Sequence, residues 1–417
     1  MEQIAQLKQV VDDLLQEARK QGADSAEAGV SVQTGLSVTV RLGEIETIEH
    51  TSDNGLAVTV YFDRRKGSAN TTDLRPEAIR ESVAAACRIA KHTSEDPAAG
   101  LADPELMARE VPDLDLYHPW QLSVEAATET ARECEDAARG LDPRISNSEG
   151  ATLYTQRSSF IYGNSHGFVG GYPTTRHGLS CAVIAQQDDE MQRDYWYDSS
   201  RLPSALADPA EIGREAARRT LARLGGRRLG TRECPVLFRA DVAPSLLRSL
   251  FGAIRGHAVY RRSTFMLGKV GTQIFPDWVT VSEDPLVPRG QASAPFDNEG
   301  VATRYRELVA GGVLQGYLLD SYAARKLGLQ STASAGGVRN ARIASSGQSF
   351  DELLREMDRG LVVTELMGQG ANLVTGDYSR GAAGFWVEGG EIQYPVDEIT
   401  VAGNLGDMYR QLVAVGS

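Results

Sequence analysis

Apolar and polar residues alternate through GVSVQTGLSVTVRLGEIETIEH, residues 29–50, and again through GLAVTVYF, residues 55–62. A period of two lines up every second side chain on one face of a sheet, so this part of the chain is committed to strands. Gly35, Gly43 and Gly55 punctuate the run and read as the turns of an antiparallel meander. Ahead of it, Ile4, Leu7, Val11, Leu14, Leu15 and Ala18 recur at three- and four-residue spacing, which predicts an amphipathic helix ending near Gly22.

Pro76, at a first helical position, opens PEAIRESVAAACRIAKH as a second helix. Ser123 is placed to cap a third, SVEAATETARECEDAARGL, whose acidic first turn suits the helix dipole. Between them residues 93–120, rich in Pro, Asp and Ala and without periodicity, read as a long loop. Residues 144–201 return to strands in ATLYTQRSSFIYGN, GFVGGYPTTRHGLSCAVIAQ and MQRDYWYDSS, and a fourth helix runs from Pro209 to the break at Gly225 and Gly226. At 417 residues the chain is too long for one ordinary core. Two domains are expected, 1–228 and 229–417, with the boundary at GGRRLGTRE.

The fold class is α+β, because helices fall between groups of strands and not in a regular parallel βαβ array. The N-terminal domain reads as sandwich-like α/β on an antiparallel sheet. The C-terminal domain reads as β-rich, barrel- or sandwich-like, from short apolar runs such as GVLQGYLLD, ANLVTGDYS and GAAGFWVEGGEIQYPVDEITVAGNL. In it, CPVLFRADVAPSLLRSLFGAI predicts a strand, a Pro-started turn and a short helix, and SFDELLREMDRG one further helix.

Lys and Arg number 43 against 56 Asp and Glu, a net charge of −13, which disfavours nucleic acid or an anionic membrane surface as a partner. No stretch approaches 18 consecutive apolar residues, and the N-terminal sequence lacks a basic segment followed by an apolar one, so a cytoplasmic location is expected. Cys87, Cys134, Cys181 and Cys234 are widely spaced, without CxxC, and are expected as buried thiols. There is no HExxH, HExxxH, GxSxG or Walker A loop, and no GxGxxG after a strand. His166 and His177 flank a Gly-rich turn and could approach across a hairpin, but two histidines without a third ligand make a poor metal site. Asp188, Asp189 and Glu190 read as a solvated hairpin tip, since a catalytic carboxylate pair needs protected and unlike environments.

Two stretches of the second half are unusual. SAPFDNEGVATR sets Asp297 and Glu299 beside Gly300, too polar and turn-like for a core strand. TGDYSRGAAGFWVEGGEIQYPV joins Asp377, Tyr378, Ser379 and Arg380 to small residues and then to Phe385 and Trp386. It is open to two readings: a peptide groove or interface that pairs with an extended chain along a strand edge, or a tight turn between strands with Arg380 on buried carbonyls.

FPDWVTVSEDP, SAPFDNEGVATR, GVLQGYLLDSYAARKLGLQSTASAGGVRN and GDYSRGAAGFWVEGGEIQYPVDEITVAGNL resemble the TldD/PmbA family, also called modulators of DNA gyrase, in its PmbA (TldE) branch. GLAVTVYF followed by RKGSANTTDL and a helix is similar to it too, so the resemblance spans nearly the whole chain. It implies a subunit of a heterodimeric zinc metalloprotease acting on unfolded or extended peptides, in which the TldD-type partner carries HExxxH. The segment that looks equivalent here is LLRSLFGA, with Arg248, Ser249 and Ala253 in the places of the first His, the Glu and the second His. A guanidinium, a hydroxyl and a methyl group cannot bind zinc or act as its general base. The partner's late cysteine ligand has no counterpart either, Cys234 being the last cysteine. No catalytic residue, metal or cofactor is therefore expected in this chain, and zinc is expected in the TldD-type partner.

That branch continues for another strand or two beyond the point that VAVGS occupies here, which implies a sheet edge closed differently or covered by a partner. The leading expectation is a non-catalytic subunit. The alternative is a homodimeric peptide-binding or regulatory protein without protease activity. Direct action on gyrase is poorly served by the net charge of −13.

Overall fold

A computed structural model describes residues 2–417, and its first element is the amphipathic helix α1, Glu2–Lys20. Three strands follow, β1 (Ser25–Arg41), β2 (Glu44–Phe62) and β3 (Arg65–Thr71), then helix α2 (Pro76–His92). Helix α3 (Val124–Arg139) leads into β4 (Ile145–Asn164), β5 (Val169–Gln187) and β6 (Glu190–Ser200), and α4 (Pro209–Ala222) ends this half. The six strands form one antiparallel sheet in the order β3-β2-β1-β4-β5-β6.

The period-two pattern is used along the full length of β1. Ala26, Ala28 and Val30 pack under α1 and α2 with Val11, Leu14, Val58 and Val83. Further along the same face, Val38 and Val40 pack under α3 and α4 with Leu153, Leu179, Ala131 and Ile212. One long sheet thus carries two helix pairs end to end, and its other face is left to Ser31, Gly35, Gly55, Phe160 and their neighbours. The helix starts follow their predicted chemistry. Ser123 Oγ accepts from the Ala126 N–H at 3.2 Å, Asp208 caps α4 through the Glu211 N–H, and Pro76 starts α2 without a side-chain cap.

Gly35 and Gly55 are not turns. Both lie inside continuous strands, and only Gly43, at φ +83°, turns the chain. A Cβ on Gly35 would sit 2.9 Å from the Thr155 carbonyl oxygen, so glycine here permits close strand approach.

The second half holds two four-stranded sheets. One, in the order β10-β9-β8-β11, is built from β8 (Val281–Glu283), β9 (Arg306–Ala310), β10 (Val313–Leu314) and β11 (Ala341–Ile343). The other, β14-β13-β12-β7, joins β7 (Val236–Phe238), β12 (Gly360–Met367), β13 (Asp377–Glu388) and β14 (Glu391–Asn404), with β7 and β12 parallel. A core of Leu250, Ile254, Val281, Val309, Leu314, Tyr378 and Leu405 draws on both sheets. The protein is α+β, as expected.

Helices α5 (Pro244–Ala253) and α8 (Phe350–Met357) stand where the sequence pattern puts them, α8 with a capping box between Ser349 and Glu352. This half is β-rich as expected, and three further short helices that the pattern did not mark accompany its sheets: α6 (Gly256–Tyr260), α7 (Ser321–Leu327) and α9 (Leu405–Arg410). Each has seven residues or fewer, under two turns, too few to display a 3.6-residue period. For the same half, GVLQGYLLD contributes only Val313–Leu314 to a strand, and most of ANLVTGDYS is a turn ahead of β13. Among the described residues no helix is long and apolar enough to cross a membrane.

Candidate functional site

Pro244 supplies the fixed φ that starts α5, and the helix then buries Leu250 and Ala253. Ser245 and Arg248, three apart, share one side and line a cleft. Ser249 Oγ donates to the Ser245 carbonyl at 3.1 Å, a bond within the helix. Ala253 is fully buried in the core, and its carbonyl accepts from Thr264 Oγ1 at 2.6 Å. Arg248 is exposed at the cleft while Ala253 faces the core. The structure therefore does not bring the three positions together around one point.

The cleft, about 210 Å³, lies where β6 and α4 of the first half meet α5, β12 and β13 of the second. Its walls carry five arginines, Arg193, Arg219, Arg223, Arg248 and Arg380, against three carboxylates, Asp194, Asp241 and Glu365. Most of these charges are committed to one another. Arg219 bridges Asp241 at 2.9 Å and Asp194 at 3.6 Å, and its guanidinium stacks over Trp196 with 4.7 Å to the ring centroid. Arg223 reaches Glu365 at 2.6 Å, and Arg193 is held by Glu149 at 2.7 Å. Burial pushes the Asp241 carboxyl up, but the guanidiniums of Arg239 and Arg219 outweigh it and leave its pKa below the usual value. Two arginines are not so committed. Arg248 has no ion pair among the described residues, and Arg380 donates to the Leu366 carbonyl at 3.2 Å and lies against the Tyr378 hydroxyl, with no carboxylate partner among the described residues. A larger groove of about 410 Å³ on the open sheet face, lined by Gly29, Ser31, Gly55, Leu56 and Phe160, presents no ionisable side chain.

The Asp377–Trp386 stretch divides. β13 is hydrogen-bonded to β12 on one side and β14 on the other, so it has no free edge for an extended peptide. Trp386 is buried beneath the guanidiniums of Arg232 and Arg359, and Phe385 packs beside Leu354 and Val362 on the opposite face. Asp377 and Ser379 are exposed at the start of the strand, Asp377 accepting from Thr375 Oγ1 at 2.6 Å. Tyr378 is buried, and burial raises its pKa against the opposing charge of Arg380. Of the six, only Arg380 lines the cleft.

His166 and His177 do not approach across their hairpin. His166 lies in the turn itself, while His177 sits nine strand positions into β5, paired with Thr155. There Nδ1 meets Thr155 Oγ1 at 2.8 Å and Nε2 meets the His118 carbonyl at 3.0 Å, and burial lowers its pKa. Asp188 and Asp189 form the β5–β6 hairpin tip, and Glu190 accepts from the N–H groups of Gly225 and Gly226. Cys87, Cys134 and Cys181 are buried free thiols and Cys234 is half-buried. Among the described residues no three His, Cys, Asp or Glu side chains cluster as a metal would require. The cleft walls Asp194, Trp196, Arg219, Arg223 and Ser245 were not marked by the sequence, because they come from segments without a local motif and meet only in the fold.

Family models match three consecutive segments of the chain: PmbA/TldA metallopeptidase domain 1 over residues 26–90, the central domain over 117–224 and the C-terminal domain over 231–417. The Escherichia coli O157:H7 metalloprotease PmbA is 54% identical over 395 residues, covering 95% of this chain and 88% of that protein. A Bacteroides thetaiotaomicron candidate modulator of DNA gyrase superposes with a TM-score of 0.93 at 28% identity, over 98% of this chain and 93% of its own. TldE from Thermococcus kodakarensis shares the fold at a TM-score of 0.84 and 22% identity, over 98% and 94% of the two chains. With all three family segments in order and more than half its residues shared with a relative of nearly equal extent, this chain belongs to the PmbA/TldD family.

Proposed function

We propose that this chain is a non-catalytic, PmbA/TldE-like subunit that pairs with a TldD-type zinc protease and helps enclose the unfolded or extended peptides which that partner cuts. The observation that carries the reading is α5. At the three positions that correspond to HExxxH stand an exposed guanidinium, a hydroxyl bonded within its own helix, and a methyl group sealed in the core. This set does not fit zinc: it offers neither a ligand nor a base, and the side chains do not converge. The name metalloprotease belongs to the Escherichia coli relative, and no hydrolytic step is routed through this chain. Zinc is assigned to the partner.

The test is co-expression with a TldD-type protein from the same source, followed by size-exclusion chromatography, zinc analysis and a peptide-cleavage assay on each chain alone and on the pair. The expected result is a stable complex with one zinc per pair, and cleavage that requires the TldD-type chain. A purified chain that alone carries stoichiometric zinc and cleaves an unfolded peptide would overturn the proposal.

A further inference from the structure

The cleft between β6, α4, α5 and β13 holds a concentration of unmet hydrogen-bonding capacity. Among the described residues five buried side-chain polar atoms lack a partner by geometry, and three of them belong to residues that line this cleft: Arg219 Nε, Ser245 Oγ and Arg380 Nε, the last backed by the Tyr378 hydroxyl. Leaving such an atom unsatisfied costs about 1–3 kcal/mol, so three on one wall is a costly arrangement for a fold to retain without use. Arg Nε can only donate, and a serine hydroxyl can donate, so the missing partner is an acceptor. Arg248 adds an exposed guanidinium on the same wall. In a chain of net charge −13, this is a local excess of positive charge walled by low-dielectric protein.

We propose that this cleft binds a peptide carboxylate, gripped by Arg248 and Arg380 with Ser245 as a further donor. The planar fork of a guanidinium matches the two oxygens of a carboxylate. A volume of about 210 Å³ admits a chain terminus or one acidic side chain, and is too small for a whole extended segment. Only the choice of a peptide as bearer of the carboxylate rests on the function proposed above.

Calorimetric titration of the full chain, without partner or zinc, tests this with four probes. They are an acetylated heptapeptide of Gly, Ser and Ala with a free C-terminal carboxylate, its C-terminal amide, that amide carrying one internal Glu, and inorganic phosphate. The expected result is binding of the free acid, of the internal-Glu amide, or of both, at least about tenfold tighter than the plain amide. Which of the two binds tells a chain terminus from an acidic side chain. Arg248→Ala, at an exposed position that should fold normally, weakens that binding by at least about tenfold, and Arg248→Lys falls between because it keeps the charge but loses the fork. Equal binding of acid and amide, no binding of any peptide, an unaltered Arg248→Ala variant, or phosphate binding more tightly than the peptides would each overturn the assignment. A chain that binds the acid through Arg248 but joins no zinc protease would retain this inference and lose the proposed function.

Discussion

Glu299 lies where a turn of the second half presses on the open face of the first sheet. Burial raises its carboxyl to about pKa 7; Ser321, whose backbone N–H donates to Oε2 at 2.9 Å, pulls it down, while Asp297 and Asp320 push it up. Asp297, almost wholly buried, is itself raised by burial although it accepts from the N–H groups of Glu299, Val301 and Ala335. Nearby, Tyr61 and Tyr162 both donate to Glu27, at 2.9 and 2.8 Å, and both are pushed up by burial. Between about pH 4.5 and 7 the unfolded chain has released the Glu299 proton and the folded chain retains it. This group therefore makes stability fall as pH rises through that window and stay lower above it, the reverse of a salt-bridged carboxylate. Glu299→Gln keeps an acceptor for the Ser321 N–H and removes the charge. It should leave stability nearly unchanged at pH 5 and raise it by on the order of 2 kcal/mol at pH 8, read from urea unfolding at the two pH values. The sequence marked Asp297 and Glu299 as out of place in a strand. It could not say that they are buried, because what buries them comes from β1, β2, β4 and α7.

Gly213 shows the same limit for an element. It interrupts α4 at a position where alanine would favour the helix by about 1 kcal/mol. Yet a Cβ there would lie 1.9 Å from the Cys134 carbonyl oxygen of α3, backbone that cannot swing away. The steric term wins. Gly213→Ala should lower stability by about 2–3 kcal/mol by thermal or chemical denaturation, and a neutral or stabilising effect would mean that α3 and α4 do not pack this closely. Helices α1 to α4 were legible because caps, Pro76 and 3.6-residue spacing are local signals. So was the sheet, except that Gly35 and Gly55 were read as turns when they are points of close strand approach, and nothing in the sequence separates those two uses of glycine. Arg248, Ser249 and Ala253 were identified by resemblance, but the cleft that Arg248 borders was not. Its members are drawn from β6, α4, α5, β12 and β13, and no spacing along one chain encodes a meeting of five elements.

Across the whole molecule, the segment 93–120 does more than a loop without periodicity suggests. It straps the second half to the first. Arg325 of α7 donates to the carbonyls of Ala98, Gly100 and Leu101 and pairs with Asp103 at 3.1 Å. Tyr322 and Lys326 meet Asp96 at 2.7 and 2.8 Å, holding its carboxyl down at about pKa 2. Met107 bridges Val301, and Arg289 reaches Asp115 at 2.5 Å. Such a strap leaves no pattern in the sequence, because what it presents is mainly backbone carbonyls and its counterpart is an arginine more than 200 positions away. Truncating Arg325 would leave three partly buried carbonyls without their donor, each worth about 1–2 kcal/mol when the donor is charged. Arg325→Ala should therefore lower stability by about 2–4 kcal/mol. It should also speed amide hydrogen exchange across residues 96–108 well before it affects β1 or β4, whose ladders are internal to the first sheet. Uniform loss of protection across the sheet would instead mean that the strap and the two halves unfold as one unit, and that Arg325 supports the fold globally and does not fasten one part of it to another.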